Sequence, residues 1–199
     1  MSASSDTSVY QKVLGLRFAD LDPRLRVYFG PIPPGAVGAG EGTFEVAGAR
    51  IALLRPVFVV LAWRRVLFPE NEQEVPFSVR NERGPDGTLR AVRTFRFRRR
   101  ERVMLDSMQA VEGAIVDRLG RRGGLEVRLA AAVIDGGLRL RSDRLAWRIA
   151  GRRIPLPPFA QVVVDERITD GLQRVDAVVR LRGIGTAFRY RGSFTYELR

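Results

Sequence analysis

The sequence predicts an α+β fold dominated by strands: N-terminal helices packed on a curved antiparallel sheet of about nine strands, partly closed like a barrel or calyx. Three observations predict it. Apolar residues recur at loosely helical spacing before Glu70 and alternate with polar residues after it. Gly-containing pairs such as Asp135-Gly136 punctuate the alternating half as hairpin turns. A sheet of so many strands twists strongly, and a strongly twisted sheet curls or closes.

Each element has its own signal. Ser8 is positioned to cap a first helix that carries Val9, Val13, Leu14 and Leu16, and Asp22-Pro23 starts a second with Pro in its first turn. Gly30 to Gly42, rich in Pro, Gly and Ala, reads as an exposed loop, and Thr43 to Val46 as a short strand. Ala49 to Phe68 reads as an apolar helix kinked at Pro56. Its apolar residues are not confined to one face, which favours burial over lying on an anionic membrane. The concave face of the sheet is its expected partner.

In the second half, Leu125, Val127, Leu129, Ala131 and Val133 share one parity, Glu126 and Arg128 the other. Asp86-Gly87, Ala150-Gly151 and Asp170-Gly171 mark further turns. The phase flips between Leu140 and Leu145, where Leu145, Trp147 and Ile149 take over, so a β-bulge is expected there. Val175, Ala177, Val179 and Leu181 line one strand; Phe188, Tyr190, Phe194, Tyr196 and Leu198 line the next.

A chain of 199 residues suits one domain, expected over 1–199: a disordered tail over 1–8, a mainly helical part over 9–69 and a strand-rich part over 70–199. Met1 to Ser8 lack the basic and apolar regions of a signal peptide. Arg55, Pro56, Arg64 and Arg65 interrupt the most apolar stretch, so no membrane span is expected and the predicted location is cytoplasmic.

The absence of Cys and His excludes a thiol nucleophile, a Ser-His-Asp triad and a thiolate or imidazole metal site. No metal loop and no dinucleotide fingerprint is present, so no cofactor is expected. The net charge is +12, and its distribution is uneven. Residues 1–75 hold eight basic and eight acidic side chains; residues 76–199 hold 26 and 14.

Asp135-Gly136-Gly137-Leu138, Ile154-Pro155-Leu156-Pro157, Asp165-Glu166-Arg167 and Arg189-Tyr190-Arg191-Gly192 resemble a bacterial domain of unknown function. That domain is found alone or fused behind saccharopine-dehydrogenase-like NAD(P)-binding modules. The resemblance covers roughly residues 8–198 and implies the stand-alone form, a strand-rich accessory or binding domain. It carries over no catalytic residues.

Three roles follow. The first is a non-enzymatic binding domain that holds a hydrophobic or acidic-headed, lipid-like ligand in the curved sheet. Phe188, Tyr190, Phe194, Tyr196 and Trp147 are its expected contacts, with arginines at the mouth for an acidic head group. The second is an anionic partner, nucleic acid or an anionic surface, met by the arginine-rich hairpin of residues 90–102. There Arg96, Arg98 and Arg100 are expected on one face and Phe95 and Phe97 in the core. The third is an enzyme working with carboxylates and tyrosine on a small metabolite, with Asp106, Glu112, Asp165 and Glu166 as the acids available. Asp165 and Glu166 point to opposite faces of one strand and cannot form a dyad together. A carboxylate on a sheet so rich in arginine usually serves a surface ion pair. Binding is therefore favoured over catalysis, and no partner protein is specified.

Overall fold

A computed structural model describes residues 7–199; residues 1–6 of the expected tail lie outside the described residues. The N-terminal segment forms α1 (Val9–Leu14), a 3₁₀ turn and α2 (Pro23–Phe29). The Ser8 hydroxyl accepts from the Gln11 amide while the Gln11 side chain accepts from the Ser8 amide, a reciprocal cap of α1. Asp22 caps α2, and Pro23 occupies its first turn.

Twelve strands follow: β1 (Val37–Ala49), β2 (Asn71–Glu72), β3 (Val75–Arg83), β4 (Leu89–Phe97), β5 (Arg100–Val111), β6 (Ala114–Leu119), β7 (Leu125–Ile134), β8 (Gly137–Ile149), β9 (Arg152–Pro155), β10 (Ala160–Thr169), β11 (Leu172–Leu181) and β12 (Gly185–Leu198). Ten of them run β10-β11-β12-β1-β3-β4-β5-β6-β7-β8 in antiparallel neighbours, and β8 pairs again with β10. The sheet is therefore a closed barrel with no free edge along that circuit. The short strands β2 and β9 add to β1 and β8 outside it.

The seam is short. β8 and β10 pair over Arg141↔Val163 to Leu138↔Glu166, four residue pairs, whereas β10 and β11 pair over ten. Above the seam the bulge predicted from the phase flip lies at Asp143, where the β7–β8 register steps from Leu129↔Ser142 to Arg128↔Arg144. The Ser142 hydroxyl accepts the Val162 amide there at 2.8 Å. Beyond it β8 diverges to pair with β9. Asp135-Gly136 and Asp170-Gly171 both have positive φ at each central residue, the geometry of tight hairpin turns.

Two sequence expectations change. Gly30 to Gly42 is not an exposed loop throughout: from Val37 it is the start of a 13-residue strand, β1, central in the barrel. Gly38 and Gly192 let aromatic neighbours close in. A methyl group on Gly38 would fall 1.6 Å from the Tyr196 hydroxyl, and one on Gly192 would fall 2.4 Å from the Phe44 Cα. The apolar stretch Ala49 to Phe68 is not one buried helix either. Ala49 ends β1, a 3₁₀ turn spans Ala52–Leu54, and α3 covers Arg55–Trp63 with Phe58 as its one buried residue.

Because strands alternate in direction, the barrel has two distinct ends. α1 and α2 close the end that holds the β3–β4, β5–β6, β7–β8 and β10–β11 turns; α1 packs on β5, β6 and β7, and α2 on β10 and β12. α3 lies at the opposite end, where the Arg64 carbonyl at its C-terminus accepts the Arg121 amide of the β6–β7 connection, and where the β9–β10 and β11–β12 connections also fall. No helix is long and apolar enough to cross a membrane among the described residues.

Candidate functional site: a cavity in the barrel

Inside the barrel two walls differ in kind. From β12, β1, β3 and β4, Phe188, Tyr190, Phe194, Phe44, Phe77 and Phe95 interlock, with ring centroids 4.4 Å apart for Phe44–Phe77 and 5.4 Å for Phe44–Tyr190. The facing wall is aliphatic, built from Val127, Leu129, Leu140, Val164, Val175, Ala177 and Val179. Between them lies a cavity of about 390 Å³. That lies within the roughly 300–1,000 Å³ of small-molecule sites.

The cavity opens toward α3. Val57 on α3 and Phe159 before β10 both line it and are both about half exposed, so the mouth lies between them. Leu145, Trp147 and Leu156 complete the rim above the seam. Of the aromatic residues proposed from the sequence, Phe188, Tyr190, Phe194 and Trp147 line the cavity. Tyr196 does not. It packs against Tyr28 at 4.6 Å, and its hydroxyl receives the Asn81 side-chain amide at 3.4 Å, in the closed end.

At the inner end the apolar walls give way to a polar cluster. Arg93, Asp117, Glu166, Tyr10 and Tyr28 line the cavity. Strand parity turns Arg93 inward with Ala91 and Phe95, and register places it diagonal to Asp106 of β5, to which it donates a hydrogen bond in a buried ion pair. Asp117 points inward between Ile115 and Leu119, opposite Met108. Glu166 faces them from β10 and accepts the Gln173 side-chain amide at 2.5 Å. Asp106 Oδ2 and Asp117 Oδ1 are buried with no hydrogen-bond donor among the described residues.

One cation among three buried carboxyl groups leaves a charge mismatch, and proton binding resolves it. Burial pushes Asp117 well above the usual carboxylate range, the Asp106 charge adds to this, and Arg93 only partly offsets it. Burial also raises Asp106 despite its contact with Arg93. Burial lifts Glu166 to about 7, against the opposing effects of the Gln173 hydrogen bond and the Arg93 charge. Burial pushes the Tyr190 hydroxyl up to about 12, with Arg93 acting in the opposite direction. Near neutral pH Glu166 is therefore close to its midpoint and Tyr190 is un-ionised, while burial favours the protonated form of Asp117 beside the Arg93–Asp106 pair. Protonation of these acids lowers the net charge of the cluster and adds hydrogen-bond donors.

Asp106 and Glu166 are thus interior acids, as the third role requires. The other two acids are not. Asp165 lies on the outer face in an ion pair with Arg139 at 2.6 Å, and Glu112 is exposed in the β5–β6 turn. From the sequence Arg93 belongs to the arginine-rich run of residues 90–102 and Asp117 is not singled out, although Arg93 shares the parity of Phe95 and Asp117 that of Ile115 and Leu119.

The arginine hairpin is less uniform than expected. Phe95 and Phe97 are core residues. However, the turn at Arg98-Arg99 resets the parity, so Arg96, opposite Glu101, and Arg100, opposite Phe97, do not share one face. Arg96 lies 3.6 Å from Glu101, Arg100 lies 3.7 Å from Glu70, and Arg102 makes two hydrogen bonds to Glu70. Arg98 is exposed, and its amide donates to Glu72.

The fold and site define a closed antiparallel barrel with an apolar cavity of small-molecule size, open at one end. Residues 21–194 match the family described as Domain of unknown function (DUF4166), and the chain belongs to it. The chain is also 25% identical to the Uncharacterized protein YndH of Bacillus subtilis (strain 168) over 205 residues, covering 97% of this chain and 98% of that protein. The resemblance to a bacterial domain of unknown function therefore holds.

Proposed function

We propose that the barrel binds a hydrophobic, lipid-like small molecule, with its apolar body in the cavity. The observation that carries this reading is a cavity of about 390 Å³ walled by Phe, Leu and Val, with a few convergent polar groups at its inner end. Larger barrels enclose ligands where side chains do not fill the lumen. The inner cluster suits a neutral polar group, since burial there favours the uncharged forms of Asp117 and Glu166 and Asp106 is already paired with Arg93. An acidic head group belongs at the mouth, where arginines are plentiful. The link to saccharopine-dehydrogenase-like modules is part of the same proposal: in such fusions the barrel would hold a ligand beside a dinucleotide-binding module.

Native mass spectrometry of protein purified from cells tests this, followed by titration of delipidated protein with a fluorescent fatty acid. We expect a co-purifying apolar molecule, saturable uptake of the probe, and loss of uptake when Ala177→Phe fills the lumen. No bound molecule together with no saturable uptake would overturn it.

A second reading is an enzyme acting on a small metabolite, favoured by Glu166 and Asp117 bordering the cavity with raised pKa values. It predicts that a bound molecule changes mass on incubation and that Glu166→Gln stops the change while keeping the ligand. A molecule returned unaltered counts against it. The reading of the 90–102 hairpin as an anion-binding surface has less support, since Arg93 points inward and Arg96, Arg100 and Arg102 each have an acidic partner.

A further inference from the structure

We infer that the open end of the barrel docks on an anionic phospholipid bilayer, with α3 lying in the interface. The inference does not rest on what fills the cavity. Between Leu53 and Trp63 the chain has one charged side chain, Arg55, yet Phe58 alone is buried in α3. Leu53 is 87% exposed, Trp63 67% and Val60 59%. Phe159 and Ile184 are exposed at the same end. Apolar side chains grouped on one end of a protein mark a contact surface.

The surrounding charge says what that surface meets. The segments 49–69, 119–125, 149–164 and 180–188, which form this end, contain ten arginines and no Asp or Glu. The neighbouring turns, 70–75 and 98–100, contribute three acids and three arginines and cancel. Among the described residues Arg55, Arg64, Arg65, Arg121 and Arg122 make no ion pair. An anionic bilayer supplies both complements at once, hydrocarbon for Leu53, Val60 and Trp63 and phosphates for the arginines around them. A second copy would bring one arginine-rich end against another, which opposes self-association through this end. A nucleic acid offers the phosphates but no apolar bed.

Co-sedimentation with vesicles tests the inference, using phosphatidylcholine alone against equal parts phosphatidylcholine and phosphatidylglycerol at about 0.1 M salt. We expect pelleting only with the anionic vesicles. The double variants Leu53→Asp/Val60→Asp and Arg64→Glu/Arg65→Glu should each lower partitioning by more than about tenfold. The altered side chains of the first variant are solvent-exposed, so its circular dichroism and melting should stay native. Absence of pelleting with anionic vesicles would overturn the inference. So would pelleting that Leu53→Asp/Val60→Asp leaves intact, or an oligomer or protein complex that this variant dissolves without any vesicle binding.

Discussion

The two ends of the barrel are covered by short helices of opposite character. α1 and α2 bury Val9, Tyr10, Leu14, Leu25, Tyr28 and Phe29, and Tyr10, Phe29 and Tyr28 stack in series at 4.4 and 4.8 Å. α3, the more apolar helix, buries Phe58. Charge divides the same way. The segments at the closed end, 7–36, 83–89, 111–114, 134–137 and 169–172, hold five basic and six acidic residues, whereas the open end carries an excess of ten arginines. Hydrophobicity alone therefore does not decide which helix is buried. Most apolar residues of α1 and α2 face the barrel, Val27 being the exposed exception, whereas α3 is apolar all round and one surface cannot cover it.

The largest effect should separate the two ends directly. Phe29 is fully buried, and Phe29→Ala should cost about 3–5 kcal/mol in denaturant unfolding. Trp63→Ala, at the exposed end, should stay within about 0.5 kcal/mol. Equal losses would break the comparison.

A smaller effect sharpens what lies behind α1 and α2. Glu166 binds its proton more tightly folded than unfolded, so its contribution is fully present below the unfolded carboxylate range near 4.5 and is lost as pH rises through about 7. Relative to Glu166→Gln, the protein should lose on the order of 3 kcal/mol between pH 5 and pH 8. Parallel stability profiles for the two proteins would place Glu166 in water. The smallest effect is at the cap of α1: Ser8→Ala should cost about 1 kcal/mol. A cost near zero would mean that packing alone holds the closed end.

Much of the barrel was legible where local chemistry decides. The phase flip before Leu145 located the bulge, turn pairs located hairpins, and alternation placed Phe95, Phe97, Phe188 and Phe194 inside. β1 was not legible as a full strand, because Gly38, Gly40 and Gly42 carry no side chains to alternate. The aromatic rings that cover that stretch come from β12, roughly 150 residues away. Arg93 of the polar cluster was hidden for a different reason. Arg93 sits in a run of arginines and reads as surface charge, although its parity marks it as interior, and a buried arginine becomes plausible only once Asp106 is placed beside it. The all-round apolar character of α3 was legible, but it reads equally as full burial, and how little of the helix is covered depends on the assembled barrel end.

The seam between β8 and β10 has a consequence in time. Opening four residue pairs is enough to part the barrel wall beneath its own mouth, while every other strand of the circuit stays in register. Local opening of this kind requires far less free energy than global unfolding. Amide hydrogens bonded across the β8–β10 seam should therefore exchange with solvent sooner than those bonded between β1 and β12, and the residence time of anything held inside would follow the rate at which that clasp springs open.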